Sequence, residues 1–252
     1  MGVLDRFRLD GQVAIVTGAS SGLGAACAVG LAEVGADLVL AARRADRLEA
    51  TAEAVRGLGR QARCVQADVT DPQTCRRVAE IAVQMGPVGV LVNSAGIAAA
   101  VPASRESPEH FRSVLEVNLM GCYWMAQAAA AVMDTGGAIV NVSSVAALVS
   151  GGLPQAAYSA SKAGLLGLTR DLAVQWSSRK GIRVNAVAPG FFTSEMTGQL
   201  DEGFLDGQVE RLPIPRLGEP EELAMTVLFL ATRASGYLTG STIVADGGLT
   251  IC

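Results

Sequence analysis

The sequence contains little of what metal sites and histidine chemistry require. Its 252 residues include one histidine, His110, and five scattered cysteines without a Cys-x-x-Cys pair. Structural zinc sites cluster four thiolate or imidazole ligands, and a lone histidine offers little material for metal binding or proton transfer. An odd number of dispersed cysteines is typical of reduced thiols rather than of a disulfide framework. We therefore predict no metal site and expect a cytoplasmic protein.

Charge and long apolar runs are also scarce. Only 17% of the residues are charged, and the formal net charge is −4, which gives no reason to expect nucleic acid as a partner. No uninterrupted apolar stretch is long enough to span a bilayer, and the charged amino-terminal residues do not resemble a signal peptide. We expect no membrane partner.

The chain is instead a regular alternation of short apolar runs and helical stretches. Strands followed by helices in this order predict a parallel sheet with right-handed crossovers and helices on both faces. We expect one doubly wound α/β domain of the Rossmann type over residues 1–252, with a seven-stranded sheet. The predicted strands cover residues 12–17, 37–42, 62–66, 88–93, 138–143, 182–187 and 242–245, and the longest predicted helices cover 107–133 and 158–176.

A glycine-rich turn follows the first predicted strand and precedes a helix. Such a turn brings backbone N–H groups to a helix N-terminus, where they bind phosphate, and its glycines let a pyrophosphate approach the main chain. The alternative is an ordinary tight turn, because the spacing Thr-Gly-x-x-x-Gly-x-Gly differs from the commoner Gly-x-Gly-x-x-Gly. The predicted nucleotide-binding residues are Gly18, Ser20, Ser21, Gly22, Leu23 and Gly24.

Two arginines follow the second predicted strand. NAD-binding proteins place an acidic residue at the end of this strand to bind the ribose 2′-hydroxyl, but the position here is Ala42. The guanidinium groups of Arg43 and Arg44 offer forked donors to a 2′-phosphate. The alternative is that both are solvated residues opening a helix. We favour NADP(H) as the cofactor.

A tyrosine and a lysine lie four residues apart in Tyr158-Ser-Ala-Ser-Lys162. On a helix they share one face, one turn from each other. A phenol alone is a poor base at neutral pH, and a nearby ammonium group favours its ionised form. The pair is a candidate proton donor and acceptor, with an ordinary surface pair as the alternative.

These motifs, taken in order, resemble the short-chain dehydrogenase/reductase family over nearly the whole chain. The resemblance implies transfer of a hydride between NADP(H) and a small-molecule ketone or secondary alcohol, in a homotetramer. It is carried by Thr17-Gly-Ala-Ser-Ser-Gly-Leu-Gly24, Asn93-Ser-Ala-Gly96, Asn118, Val142-Ser-Ser144, Tyr158-Ser-Ala-Ser-Lys162 and Pro189-Gly190.

The resemblance also implies a role for each catalytic residue. Tyr158 donates a proton to the ketone oxygen, Lys162 supports the phenolate and holds the nicotinamide ribose, and Ser144 hydrogen-bonds the substrate oxygen. Asn118 holds a water that relays protons. The residues it places around the cofactor are Asp68 and Val69 at the adenine, Asn93, Ala95 and Gly96 along its length, and Pro189, Gly190, Phe192 and Ser194 at the nicotinamide.

Two of these assignments have alternatives. Asp68 also suits a purely capping role. Family members commonly place the serine thirteen positions before the tyrosine, whereas Ser144 stands fourteen before Tyr158, so Ser143 is a second candidate. We prefer Ser144 because neighbouring side chains of a strand point to opposite sides.

The substrate is less well defined. Reductases of acyl-carrier-protein thioesters usually carry basic residues where this chain has Asp134-Thr135 and Val174, whereas the segments at residues 9–16 and 190–196 resemble polyol and sugar-acid dehydrogenases. We predict a carbonyl reductase with a substrate loop at about 191–216. The alternatives are a gluconate dehydrogenase-like enzyme, a 3-oxoacyl thioester reductase or a cofactor-sensing regulator. An apolar pocket for a hydrophobic ketone is expected from Leu148, Val149, Leu153, Phe191, Phe192 and Met196.

The helices that carry Asn118 and Tyr158 are rich in small residues. Small side chains let another helix approach closely, so these two helices are the predicted subunit interface. The small residues are Gly121 and the alanines from Ala126 to Ala131 on the first helix, and Ala156, Ala160, Gly164 and Gly167 on the second.

Overall fold

The computed structural model describes residues 2–134 and 136–252. Thr135, which stands where reductases of acyl-carrier-protein thioesters usually carry a basic residue, lies outside them. Within the described residues, seven parallel strands form one sheet in the order β3-β2-β1-β4-β5-β6-β7. The strands are β1 (Val13–Thr17), β2 (Asp37–Ala42), β3 (Ala62–Gln66), β4 (Val88–Asn93), β5 (Gly137–Val142), β6 (Ile182–Pro189) and β7 (Thr242–Ala245).

Helices cover both faces of the sheet, as predicted for a doubly wound domain. The core on one face is formed with α1, α2 and α8, and that on the other with α3, α5 and α6. Because both faces are covered, every residue of β1 and β4 is buried, which explains their continuous apolar runs. The described helices are α1 (Gly22–Glu33), α2 (Ala45–Gly57), α3 (Pro72–Met85), α4 (Pro108–Leu115), α5 (Gly121–Val132), α6 (Ala156–Lys180), α7 (Glu202–Val209) and α8 (Pro220–Ala231).

The strand order reverses direction between β1 and β4. The chain leaves β1 toward β2 and β3, and then returns to place β4 on the other side of β1. In open parallel sheets the loops at such a switch point separate at the carboxyl ends of the strands and leave a crevice for a ligand. The glycine-rich turn after β1 and the loop after β4 therefore border the candidate site.

The predicted helix over 107–133 is not continuous. It consists of α4, one π-helical turn at Glu116–Met120, and α5. The backbone N–H of Gly121 donates to the carbonyl of Glu116, five residues earlier, so the helix absorbs an extra residue without ending. The apolar periodicity of the sequence does not reveal this insertion, which surrounds Asn118.

Two other boundaries differ from the predictions. The segment 191–216 contains a 3-10 turn at Thr197–Gln199 and the helix α7, which begins where the Asp201 carboxylate accepts the N–H of Phe204 at 3.0 Å. Helix α6 continues to Lys180, whose ammonium donates to the Ala130 carbonyl at 2.8 Å. Its last turn is polar. The apolar pattern, which predicted an end at residue 176, therefore ends before the helix does.

Candidate active site

A cleft of about 650 Å³ lies at the switch point, along the carboxyl ends of the strands. This volume is within the range of small-molecule and cofactor sites. All of the predicted site residues except Asn93 and Asn118 line it. Those that line it are Gly18, Ser20, Ser21, Gly22, Leu23, Gly24, Arg43, Arg44, Asp68, Val69, Ala95, Gly96, Ser144, Tyr158, Lys162, Pro189, Gly190, Phe192 and Ser194.

The glycine-rich turn is packed too tightly for side chains at two positions. A Cβ on Gly24 would lie 2.4 Å from the carbonyl oxygen of Gly18, and one on Gly18 would lie 2.8 Å from the backbone nitrogen of Ala95. Gly18 also has a φ of 68°, in the left-handed region. The Thr17 hydroxyl joins the two loops by accepting the N–H groups of Ser94 and Ala95 at 3.1 and 3.2 Å.

The amino end of α1 opens into this cleft. The helix starts at Gly22, and the side chain of Ser21, its N-cap residue, accepts no hydrogen bond from the helix backbone. Because the first N–H groups of a helix have no intrahelical partner, they are donors for a ligand anion. The bare glycine backbone and these donors fit the pyrophosphate of a dinucleotide.

Arginine side chains and one aspartate mark the other end of the cleft. Arg44 donates to the Ser21 hydroxyl at 3.0 Å and to the Glu195 carboxylate at 3.0 Å. Asp68 accepts the N–H and hydroxyl of Thr70 at 3.0 and 2.8 Å, so it does close a turn while lining the cleft. Glu195 lines the cleft as well and was not predicted.

Tyr158 and Lys162 occupy the first turns of α6 on the face toward the cleft. The Lys162 ammonium is 5.7 Å from the centre of the Tyr158 ring and donates to the Val142 carbonyl at 2.8 Å. The lysine is 4% exposed, so its charge lies in a site largely shielded from water. An ammonium group has three N–H donors, and the one held by Val142 leaves two for a ligand.

The two candidate serines make different contacts. Ser143 donates its hydroxyl to the Lys162 carbonyl at 2.9 Å, which ties β5 to α6. The Ser144 hydroxyl oxygen accepts the N–H of Ala146 at 3.1 Å, and among the described residues its proton has no acceptor. Ser144 can therefore donate to a substrate oxygen, whereas the Ser143 proton is already used.

Asn118 does not line the cleft but holds one of its loops in place. It is fully buried, and its side chain accepts the N–H of Ile97 at 2.8 Å and donates to the Ile97 carbonyl at 2.9 Å and the Ser161 hydroxyl at 3.1 Å. These bonds fix the loop after β4 against α6, so the side chain acts as a positioning group for that loop. The predicted water relay stays a prediction.

The structure does not place the Asn93 side chain in the cleft. Its amide donates to the Asn141 side chain at 2.9 Å and to the Cys122 carbonyl at 3.1 Å, and the residue is 1% exposed. These bonds join β4, β5 and α5 inside the fold. The side chain is therefore structural, and the predicted contact of Asn93 with the cofactor, through its backbone, stays a prediction.

The structure also bears on cysteine chemistry, metal binding and membrane insertion. Burial raises the pKa of the Cys27 thiol to about 12 and that of the Cys122 thiol to about 11, so neither is a thiolate at neutral pH. In the described part of the chain, no cluster of three His, Cys, Asp or Glu side chains could hold a metal ion. No helix there combines the length and apolar character that a membrane crossing requires.

Comparison with known proteins identifies related oxidoreductases along the whole chain. A family profile described as enoyl-(acyl carrier protein) reductase matches residues 18–250. Galactitol 2-dehydrogenase (L-tagatose-forming) of Cereibacter sphaeroides is 41% identical, with 97% of each chain covered. A 3-oxoacyl-[acyl-carrier-protein] reductase of Thermotoga maritima is 39% identical, over 97% of this chain and all of the relative.

A solved structure shows the same fold at similar identity. Gluconate 5-dehydrogenase of Burkholderia cenocepacia, crystallised with NADP and tartrate, superposes with a TM-score of 0.93 at 36% identity, with 100% of both chains covered. The profile match, these relatives and the shared fold agree with the cleft geometry, and the chain belongs to the short-chain dehydrogenase/reductase family.

Proposed function

We propose that the protein is an NADP(H)-dependent carbonyl reductase that interconverts a ketone and a secondary alcohol. Family membership supports the general reaction, which is nicotinamide-dependent oxidoreduction of alcohols and ketones. The observation that carries the proposal is the meeting of Ser144, Tyr158 and Lys162 at one end of a cleft whose other end presents a glycine turn and two arginines.

The residues around the cleft fit the parts of the cofactor. The turn at Ser20–Gly24 would hold the pyrophosphate, Arg43 and Arg44 the 2′-phosphate, and Asp68 and Val69 the adenine. The segment at residues 189–194 would meet the nicotinamide. When bound, the cofactor supplies or accepts the hydride. Solved relatives that contain NADP support this choice of cofactor.

The protein's own groups handle the proton and the developing charge. In ketone reduction, Tyr158 gives its hydroxyl proton to the carbonyl oxygen, and Ser144 donates a hydrogen bond to the same atom. Lys162, held by Val142, directs its remaining N–H groups to the cofactor ribose and its charge toward the phenol. Asn118 keeps the loop at Ile97 in place beneath these groups.

The lining of the substrate end favours an uncharged ketone. The cleft lining includes the apolar residues Ile97, Ala98 and Met196, with Gln199 as a polar member. Apolar walls suit a hydrophobic ketone. The predicted contributor Leu148 is 45% exposed and does not line the cleft, so the pocket is smaller than the sequence indicated.

A polyol or sugar-acid dehydrogenase is the second candidate. Relatives named as galactitol and gluconate dehydrogenases favour it, and Gln199 with Thr197 could bond substrate hydroxyl groups. Initial rates on matched panels of simple ketones, polyols and gluconate separate the two proposals, since only the first predicts the highest kcat/KM for simple ketones.

The two further alternatives, a 3-oxoacyl thioester reductase and a cofactor-sensing regulator, are less well supported. Val174 is 80% exposed at a place where thioester reductases usually carry a basic residue for the carrier protein. A cofactor-sensing regulator without chemistry typically lacks the tyrosine or the lysine, and both are present here. Turnover of ketones by the purified protein would distinguish an enzyme from such a regulator.

The choice of cofactor is tested by Arg43→Ala. We expect the KM for NADPH to rise about tenfold or more and that for NADH to change less than about twofold, because only NADPH offers the charge that a guanidinium binds. Arg63→Ala is the control, since Arg63 is an exposed arginine on β3 that does not line the cleft. Equal effects on the two cofactors would show that Arg43 binds no phosphate.

We also propose a homotetramer through the helices that carry Asn118 and Tyr158, and the exposed small residues of α6 support this interface. Ala156, Ala160 and Val174 lie exposed on α6. Gly121 of α5, by contrast, packs within its own chain, where an added Cβ would lie 2.6 Å from Val69. Light scattering should give four times the chain mass of 25.9 kDa. A mass of one chain would refute the proposal.

A further inference from the structure

Glu195 connects three segments that border the polar end of the cleft. It lies in the loop after β6, next to Ser194, and its carboxylate accepts hydrogen bonds from Arg44 at 3.0 Å and from the Ser21 hydroxyl at 3.4 Å. Arg47, on the first turn of α2, donates to its other oxygen. One carboxylate thus joins the glycine turn, the start of α2 and the substrate loop.

These hydrogen bonds are formed by side chains that are not buried. The side chains of Arg44, Arg47 and Glu195 are 45%, 49% and 49% exposed. The hydrogen bond from Arg44 lowers the pKa of Glu195, so the carboxylate is charged at neutral pH. An exposed ion pair contributes little stability and can be exchanged for another anion at small cost.

The groups that hold Glu195 are those assigned above to the phosphates of the cofactor. Arg44 is a proposed ligand of the 2′-phosphate, and Ser21 belongs to the turn proposed for the pyrophosphate. A carboxylate and a phosphate offer the same acceptor oxygens and the same sign of charge. Both cannot occupy these donors at once, and each repels the other.

We propose that Glu195 is an internal counterion that competes with the 2′-phosphate of NADP(H) and so sets the cofactor preference of the enzyme. Binding of NADP(H) displaces the carboxylate, frees Arg47 as a further donor to the phosphate, and releases the loop beside Ser194 from the adenosine end of the cleft. This inference rests on the proposed function, because it takes the cleft as the cofactor site. NAD(H), which lacks the 2′-phosphate, competes with Glu195 only through Ser21.

The substitution Glu195→Gln removes the charge and keeps the size of the side chain. We expect the Kd for NADPH to fall about fivefold, and that for adenosine 2′,5′-bisphosphate to fall equally, because both carry the 2′-phosphate. The Kd for NADH should change less than about twofold. Fluorescence titration measures the Kd values of the two reduced cofactors, and calorimetry measures that of the bisphosphate. Because the bisphosphate has no nicotinamide, its Kd reports only on the adenosine end of the cleft.

Three further measurements separate this competition from a general change in charge. Glu210→Gln alters an exposed glutamate outside the cleft and should leave all three Kd values unchanged. The gain from Glu195→Gln should shrink in high salt. It should also shrink when Arg44→Ala is present, because substitutions of contacting residues are not additive.

The outcomes distinguish this inference from the proposed function. If wild-type protein binds NADPH but Glu195→Gln leaves its Kd unchanged or weakens binding, the competition is overturned and the proposed function stands. A weakened Kd would mean that the carboxylate instead holds Arg44 in place for the phosphate. If wild-type protein binds neither reduced cofactor nor the bisphosphate, both proposals fail.

Discussion

Tyr158→Phe is expected to lower kcat for ketone reduction by about a thousandfold, while the Kd for NADPH should change less than about twofold. The substitution removes the hydroxyl that protonates the substrate oxygen and keeps the ring beside Lys162. General acid catalysis typically contributes about 10²- to 10⁴-fold to a rate, so the loss should be large and confined to turnover. Steady-state rates on ketones and fluorescence titration of NADPH measure the two quantities.

Tyr123→Phe is the matched control for this result. Tyr123 is a partly buried tyrosine of α5 whose ring lies 5.0 Å from that of Trp124, and it does not line the cleft. Loss of its hydroxyl should change kcat less than about twofold. Retention of more than about a tenth of the wild-type kcat by Tyr158→Phe would contradict the assigned role.

Gly24→Ala should impair both folding stability and cofactor binding. The added Cβ would lie 2.4 Å from the Gly18 carbonyl oxygen, which is a backbone atom and cannot rotate away. Forcing a methyl group into a packed site typically costs about 1–3 kcal/mol. Because relief of the clash moves α1 away from the turn, we expect the Kd for NADPH to rise by about a hundredfold. Denaturant unfolding and cofactor titration measure the two effects.

Gly30→Ala, on the same helix, is a control that should not lower the free energy of unfolding. A Cβ on Gly30 would lie 3.5 Å from that of Ala224, which is an ordinary contact. Alanine is favoured over glycine within a helix by about 1 kcal/mol, so Gly30→Ala should leave the free energy of unfolding unchanged or raise it. If both substitutions had the same small effect, the close approach at Gly24 would not matter for the site.

The sequence predicted the sheet and much of the cleft because both depend on local patterns. Most strands are short apolar runs between turns, and helices on both faces follow from the alternation; the edge strand β3 is more polar. Ser144 and Tyr158 stand just past a strand or at the start of a helix, which are the places that meet at the carboxyl edge of a parallel sheet. Their positions along the chain were therefore enough to place them together.

The features that the sequence did not predict depend on distant contacts. Glu195 meets Arg44 across 151 positions of the chain, and no local pattern marks such a pair. Asn93 ends its strand with a polar side chain that bonds inward to Asn141, 48 positions away. The π-helical turn around Asn118 leaves the apolar periodicity nearly unchanged, so only the backbone hydrogen bonds reveal it.

The most direct test of the proposed active site is a crystal structure of the protein with NADP⁺ bound. We expect the 2′-phosphate at Arg43 and Arg44, with Glu195 displaced, and the nicotinamide ring within about 4 Å of the Tyr158 hydroxyl. A cofactor bound in this cleft with its nicotinamide remote from Tyr158 and Lys162, or bound elsewhere on the protein, would contradict it.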